Sequence, residues 1–167
     1  PNSPYHDTLS LHDALPILFE DCLLNEKELG ILFLDIDHFK QLNDRYGHGR
    51  GDEGICAVAD TLKKCFPEDY VARYGGDEFL VVMTGRDREY AEEHARQLCM
   101  GIRECEIPNE DSSVEPWLTI SIGGVCAIPK EPNRVWDFLS AADKTLYDQK
   151  NEQKGKVRFY VGEGQYL

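Results

Sequence analysis

The sequence predicts an α/β (α+β) sandwich, a mixed central sheet of about five strands with helices on both faces. Three observations carry that prediction. Ile31-Leu-Phe-Leu34 is a continuous apolar run of the kind shown by a strand buried on both faces. Tyr70–Tyr74 and Phe79–Met83 flank Gly75-Gly76, which reads as two strands around a tight turn. Helical spacing alternates with these strands, and the antiparallel hairpin makes the sheet mixed.

The elements follow in order. Leu11–Leu24 is helical in pattern, but Pro16 sits inside it and is expected to break or restart the helix. After the Ile31–Leu34 strand, a helix is expected to reach Tyr46 and to end at Gly47. A second helix is expected to open at Gly51-Asp52, with Asp52 as its cap and Ile55, Val58, Ala59 and Leu62 at helical spacing. Beyond the hairpin, Asp87–Cys105 is amphipathic, with Ala91, Ala95, Leu98 and Ile102 facing inward. Trp117–Ile128 reads as a strand, Asn133–Lys150 as a helix and Val157–Val161 as a final strand. Residues 1–30 are expected to form an N-terminal helical segment ahead of one domain over 31–167.

Composition narrows the function. The 167 residues suit one domain, 41% are apolar, and no run approaches a membrane span. Asp and Glu number 31 against 18 Lys and Arg, a net charge of −13. Such a chain repels polyanions, so a nucleic-acid partner is not expected. A small anionic nucleotide is compatible if metal ions and local cations screen its phosphates. The six cysteines show no CxxC spacing and read as buried or semi-buried thiols of a reducing compartment. The polar start shows no basic n-region, so a cytoplasmic location is expected.

The carboxylates carry the chemistry. Asp35 and Asp37 end the most apolar strand, where ionised groups are costly unless solvated, paired or bound to metal. Asp77 and Glu78 follow the glycine turn of the hairpin. If the first strand lies beside that hairpin, these acids converge at one sheet edge. Converging carboxylates suit Mg²⁺, which takes oxygen ligands and substrate phosphates together.

Arg73-Tyr-Gly-Gly-Asp-Glu-Phe79 resembles the signature of the GGDEF family of diguanylate cyclases. Leu34-Asp-Ile-Asp-His-Phe-Lys40, Asn43-Asp44, Gly47-His48 and Gly51-Asp52 are similar to its first metal-and-nucleotide segment. Thr119-Ile-Ser-Ile-Gly123 and Ala141-Ala-Asp-Lys-Thr-Leu-Tyr147 resemble its later strand and last helix. The match runs from about residue 31 to 150. The resemblance implies a fold related to the polymerase palm and nucleotide cyclases, and the condensation of two GTP into cyclic di-GMP with release of pyrophosphate. It implies that Asp35, Asp77 and the carbonyl of Ile36 hold Mg²⁺ or Mn²⁺. It implies that Asp77 or Glu78 helps deprotonate the attacking hydroxyl, and that Lys40 neutralises developing charge. The amides of His38 and Phe39, with Lys150, would meet phosphates. Asn43 and Asp52 would read the guanine edge, an amide and a carboxylate suiting a base with both acceptors and N–H donors. A transient homodimer across the active site and an upstream sensor domain are the implied partners. The alternative is a degenerate GTP-binding signalling module.

Three stretches depart from the family pattern. Asp7-Thr-Leu-Ser-Leu-His-Asp13 keeps the start of the opening block but lacks its glycine and Asn-Arg pair. Phe66-Pro-Glu-Asp69 stands where the family carries an R-x-x-D product-inhibition site, with phenylalanine in place of the arginine. After Lys150 the glycine falls late, in Lys154-Gly-Lys156, which leaves Lys150 as the best phosphate ligand there. His48 is expected to be structural, and Gly47 and Gly51 to be turn residues.

Overall fold

The computed structural model describes residues 9–162. Its elements are α1 (Leu11–Leu24), β1 (Leu29–Ile36), α2 (Phe39–Tyr46), α3 (His48–Cys65), β2 (Tyr70–Gly75), β3 (Glu78–Thr84), α4 (Arg88–Glu104), β4 (Ile120–Ala127), α5 (Val135–Glu152) and β5 (Val157–Phe159). The sheet order is β2-β3-β1-β4-β5. β4 and β5 pair in parallel and every other neighbour is antiparallel. The mixed five-stranded sandwich is the architecture that the apolar pattern predicts.

Strand alternation divides the core into two layers. Leu32, Leu34 and Ile36 of β1, with Phe79, Val81 and Met83 of β3, pack under α2, α3 and α4. Leu29, Ile31 and Phe33, with Leu80 and Val82, pack under α1 and α5. Among the described residues no helix is long and apolar enough to cross a membrane. All six cysteines are free, but Cys56 and Cys105 are exposed and not buried or semi-buried as expected.

Four expectations need correction. α1 runs unbroken through Pro16. Proline in a helix interior costs about 3 kcal/mol. Leu15, Leu18 and Phe19 are buried on the sheet-facing side, each contributing about 1.5–3 kcal/mol, so tertiary packing outweighs the defect. α3 opens at His48, not at Gly51-Asp52, because Gly47 (φ 84, ψ 165) ends α2 and also caps α3. Asp52 is therefore an exposed residue inside α3 and not its cap, and Gly51 is helical. β4 begins at Ile120; Trp117 makes only an isolated bridge to Pro108. β5 stops at Phe159.

Candidate functional site

The site is built where β1 ends beside the hairpin. Asp35 pairs across the sheet with Glu78. The amide of Ile36 donates to the carbonyl of Asp77 at 3.2 Å. Three predicted acids, Asp35, Asp77 and Glu78, thus share one sheet edge, on strands whose register the core fixes. Gly76 turns the hairpin with φ 46, a conformation glycine adopts without penalty. Arg73 clamps this turn, donating Nε and Nη2 to the Gly76 carbonyl at 2.8 and 2.6 Å.

The electrostatics are those of crowded anions. Burial, and then the charge of Asp35, push the Asp77 carboxyl above its ordinary pKa. Glu78 is raised by burial and by Asp35, Asp77 and Asp143. One cation answers directly: Lys150 Nζ lies 2.7 Å from Asp35 Oδ1. This lysine, expected at phosphate, contacts an acid from the metal-ligand set. Among the described residues no three His, Cys, Asp or Glu side chains form a metal cage. Two carboxylates and a carbonyl remain a suitable donor set for Mg²⁺, which usually takes one or two carboxylates and completes its shell with water and phosphate.

Asp37 does not join this edge. It is fully buried and accepts from the Thr119 hydroxyl at 2.8 Å and the Ser121 hydroxyl at 2.6 Å. Its amide donates to the Thr119 carbonyl, and Asn109 Nδ2 donates to the Asp37 carbonyl oxygen at 3.4 Å. β1 has ended at Ile36, so the two-residue period that would set Asp37 beside Asp35 no longer applies. Asp37 instead anchors the turn into α2. His38 there is left-handed, with φ 53, a strained state for a residue with a Cβ. His38 Nε2 lies 2.9 Å from the Ser113 hydroxyl. Arg45 at the far end of α2 pairs with Glu110 and Asp111 at 2.6 and 2.7 Å, so the 105–119 loop grips both ends of the helix. Asp37→Ala should destabilise the fold by about 3 kcal/mol, two charge-assisted hydrogen bonds being lost in a dry site. Urea denaturation measures this, and an unchanged midpoint would refute the anchoring role. The alternating Thr119 and Ser121 hydroxyls, one residue apart, are the signal in the sequence that could have identified it.

The turn at His38 leads into the N-terminus of α2. The first amides of any helix lack intrahelical acceptors, and His38 and Phe39 stand at this end of α2. Lys40 follows them and is exposed. Asn43 lies one turn on, facing α3. A Cβ on Gly51 would sit 2.0 Å from Asn43 Oδ1, so any larger residue there would displace the Asn43 side chain from its present position. The contact brings Asn43 against the turn of α3 that carries exposed Asp52. Asn43 Oδ1 is buried without a hydrogen-bond partner. His48, the first residue of α3, is exposed.

Phe66 is wholly buried in the core, and Asp69 is 4% exposed. Asp69 accepts from Tyr90 Oη at 3.0 Å, and burial raises its pKa. A phenylalanine cannot supply a bidentate guanidinium, and this one serves the core. Cyclic di-GMP should therefore not bind through this pair at low micromolar concentration. Binding that disappears in Asp69→Ala would show otherwise.

Comparison with known proteins bears on the family and the fold. The family model for "Diguanylate cyclase, GGDEF domain" matches residues 8–156. The probable diguanylate cyclase DgcC of Escherichia coli (strain K12) is 32% identical over 141 residues, covering 83% of this chain and 37% of DgcC. Diguanylate cyclase A of Treponema denticola is 34% identical over 133 residues, covering 79% of this chain and 35% of the relative. The chain thus spans about a third of the length of these curated relatives. The crystal structure of the GGDEF domain of DgcB from Caulobacter crescentus in complex with c-di-GMP superposes with a TM-score of 0.80. It is 23% identical and the match covers 95% of this chain and 97% of that one, a likeness of fold.

Proposed function

The chain belongs to the GGDEF family of diguanylate cyclase domains, and from that premise we propose that it condenses two GTP molecules into cyclic di-GMP and releases pyrophosphate. The observation that carries this reading is the sheet register, which sets Asp35 opposite Glu78 with Asp77 bonded across to Ile36. Asp35, Asp77 and the Ile36 carbonyl would hold Mg²⁺ or Mn²⁺. The raised carboxyls of Asp77 and Glu78 mark an excess of negative charge that a cation would relieve. Such an ion supplies charge neutralisation and orientation to phosphoryl transfer.

The chain's own groups do the rest. Amides of His38 and Phe39 hold phosphate oxygens at the N-terminus of α2, and Lys40 and Lys150 add positive charge there. Lys150 must leave Asp35, or bridge from it, to do so. Asp77 or Glu78 accepts the proton of the attacking 3′-hydroxyl. Asn43 and Asp52 read guanine. The orphaned Asn43 oxygen supports this, since a buried acceptor without a partner suits a ligand N–H. Asn43→Ala with Asp52→Ala should cut the preference for GTP over ATP by at least about tenfold, the usual value of a lost polar contact in a specific pocket. Binding titrations with both nucleotides measure this, and unchanged selectivity would remove both residues from the base site.

A second reading has one observation behind it. The Lys150–Asp35 ion pair already satisfies a metal carboxylate, as a GTP-binding module without catalysis would allow. Incubation with GTP and Mg²⁺ or Mn²⁺, followed by chromatography, separates the two. Cyclic di-GMP supports the cyclase; GTP binding without product supports the module.

A further inference from the structure

We propose that the crevice between the β2–β3 hairpin and the first turns of α5 is a docking site for an arginine side chain carried by a partner polypeptide. The crevice has a volume of about 340 Å³, and its walls include Phe33, Tyr74, Trp136 and Leu139, with Glu78 and Asp143 among them. Tyr74 and Trp136 are 51% and 54% exposed, a large aromatic surface to leave in water. Phe33 meets the Tyr74 ring edge-on at 4.8 Å and holds it as a wall.

The charge of the crevice selects its occupant. Among the described residues neither Glu78 nor Asp143 forms an ion pair, and no cation stacks on Tyr74 or Trp136. Two cations close to the crevice are engaged elsewhere: Lys150 on Asp35, and Arg73 on the Gly76 carbonyl. An anionic ligand meets two carboxylates on a chain of net charge −13. A purely apolar segment would bury those carboxylates unpaired, at a high desolvation cost. A guanidinium meets both demands: it stacks on aromatic faces and donates to carboxylates in a planar fork. β2, which carries Tyr74, is an edge strand, so an extended partner can pair along it while its arginine enters the crevice. Occupancy would set a positive charge beside Glu78; only that consequence for catalysis rests on the function proposed above.

The test reads binding without nucleotide. The ¹⁵N-labelled chain is titrated with capped Gly-Arg-Gly and with its uncharged citrulline counterpart, and amide and indole shifts are followed. The arginine peptide should produce saturable shifts at Tyr74, Trp136 and Asp143, with the citrulline peptide at least about tenfold weaker for want of charge. Trp136→Ala and Asp143→Asn should each weaken the arginine peptide by about fivefold or more. Both variants should keep dispersed spectra, since Trp136 and Asp143 are exposed. Equal binding of the two peptides, arginine binding indifferent to both substitutions, or shifts confined to other surfaces would overturn the proposal. A lysine peptide as tight as arginine would overturn the guanidinium assignment. Because no turnover is read, failure here is distinguishable from failure of the cyclase reading.

Discussion

On the proposed function, Asp77→Asn and Asp35→Asn should each lower cyclic di-GMP formation by at least about a hundredfold, since each would remove a carboxylate of the proposed metal site, worth several kcal/mol in phosphoryl transfer. In Asp77→Asn the fold should not suffer, whereas Asp35→Asn also breaks the ion pair with Lys150. Asp77 is raised above its ordinary pKa by burial and by Asp35. A carboxyl raised in the folded state costs stability wherever it is ionised, and that cost disappears as pH falls and both states become protonated. Asp77→Asn should therefore raise the Tm at neutral pH, and the gain should shrink toward zero in acid. Thermal melts at several pH values check the sign. A variant that keeps its activity, or that melts lower at neutral pH, would contradict the crowded-carboxylate account.

Specific activity should depend steeply on protein concentration. Symmetric joining requires each 3′-hydroxyl to attack the other nucleotide's α-phosphate, so two half-sites must face across a two-fold axis. The chain has no heptad run, and its net charge of −13 opposes self-association. Below the dimerisation constant, an about hundredfold dilution should lower the initial rate per mole by a similar factor, as mass action requires. Fusion to a parallel coiled coil should flatten the dependence by raising the effective concentration of the second half-site. A flat dilution series from a demonstrably monomeric chain would exclude facing half-sites.

The parts of this site that were legible in the sequence are those set by local pattern. The apolar run ending in Asp35 and the glycine turn before Asp77 each specify an element. Their convergence followed once β1 lay beside β3 in the observed register. What was illegible depends on contacts between distant segments. Asp37 shares a motif with Asp35, yet Thr119 and Ser121 claim it from more than eighty residues away. Asp52 reads as a cap until Gly47 is seen to serve two helices. Pro16 reads as a break until Leu15, Leu18 and Phe19 are seen buried on one face. The Lys150–Asp35 pair and the crevice at Trp136 join α5 to the hairpin edge, and no spacing along the chain reveals them.

The measurement that bears most directly on the cyclase assignment is product stoichiometry in a concentrated sample of the chain with GTP and Mg²⁺. Chromatography quantifies GTP lost and cyclic di-GMP formed, while a coupled assay quantifies pyrophosphate. Two GTP consumed and two pyrophosphate released per cyclic di-GMP, with no product from Asp77→Asn, is the predicted result. GTP consumed without cyclic di-GMP, or equal product from the Asp77→Asn chain, would contradict it.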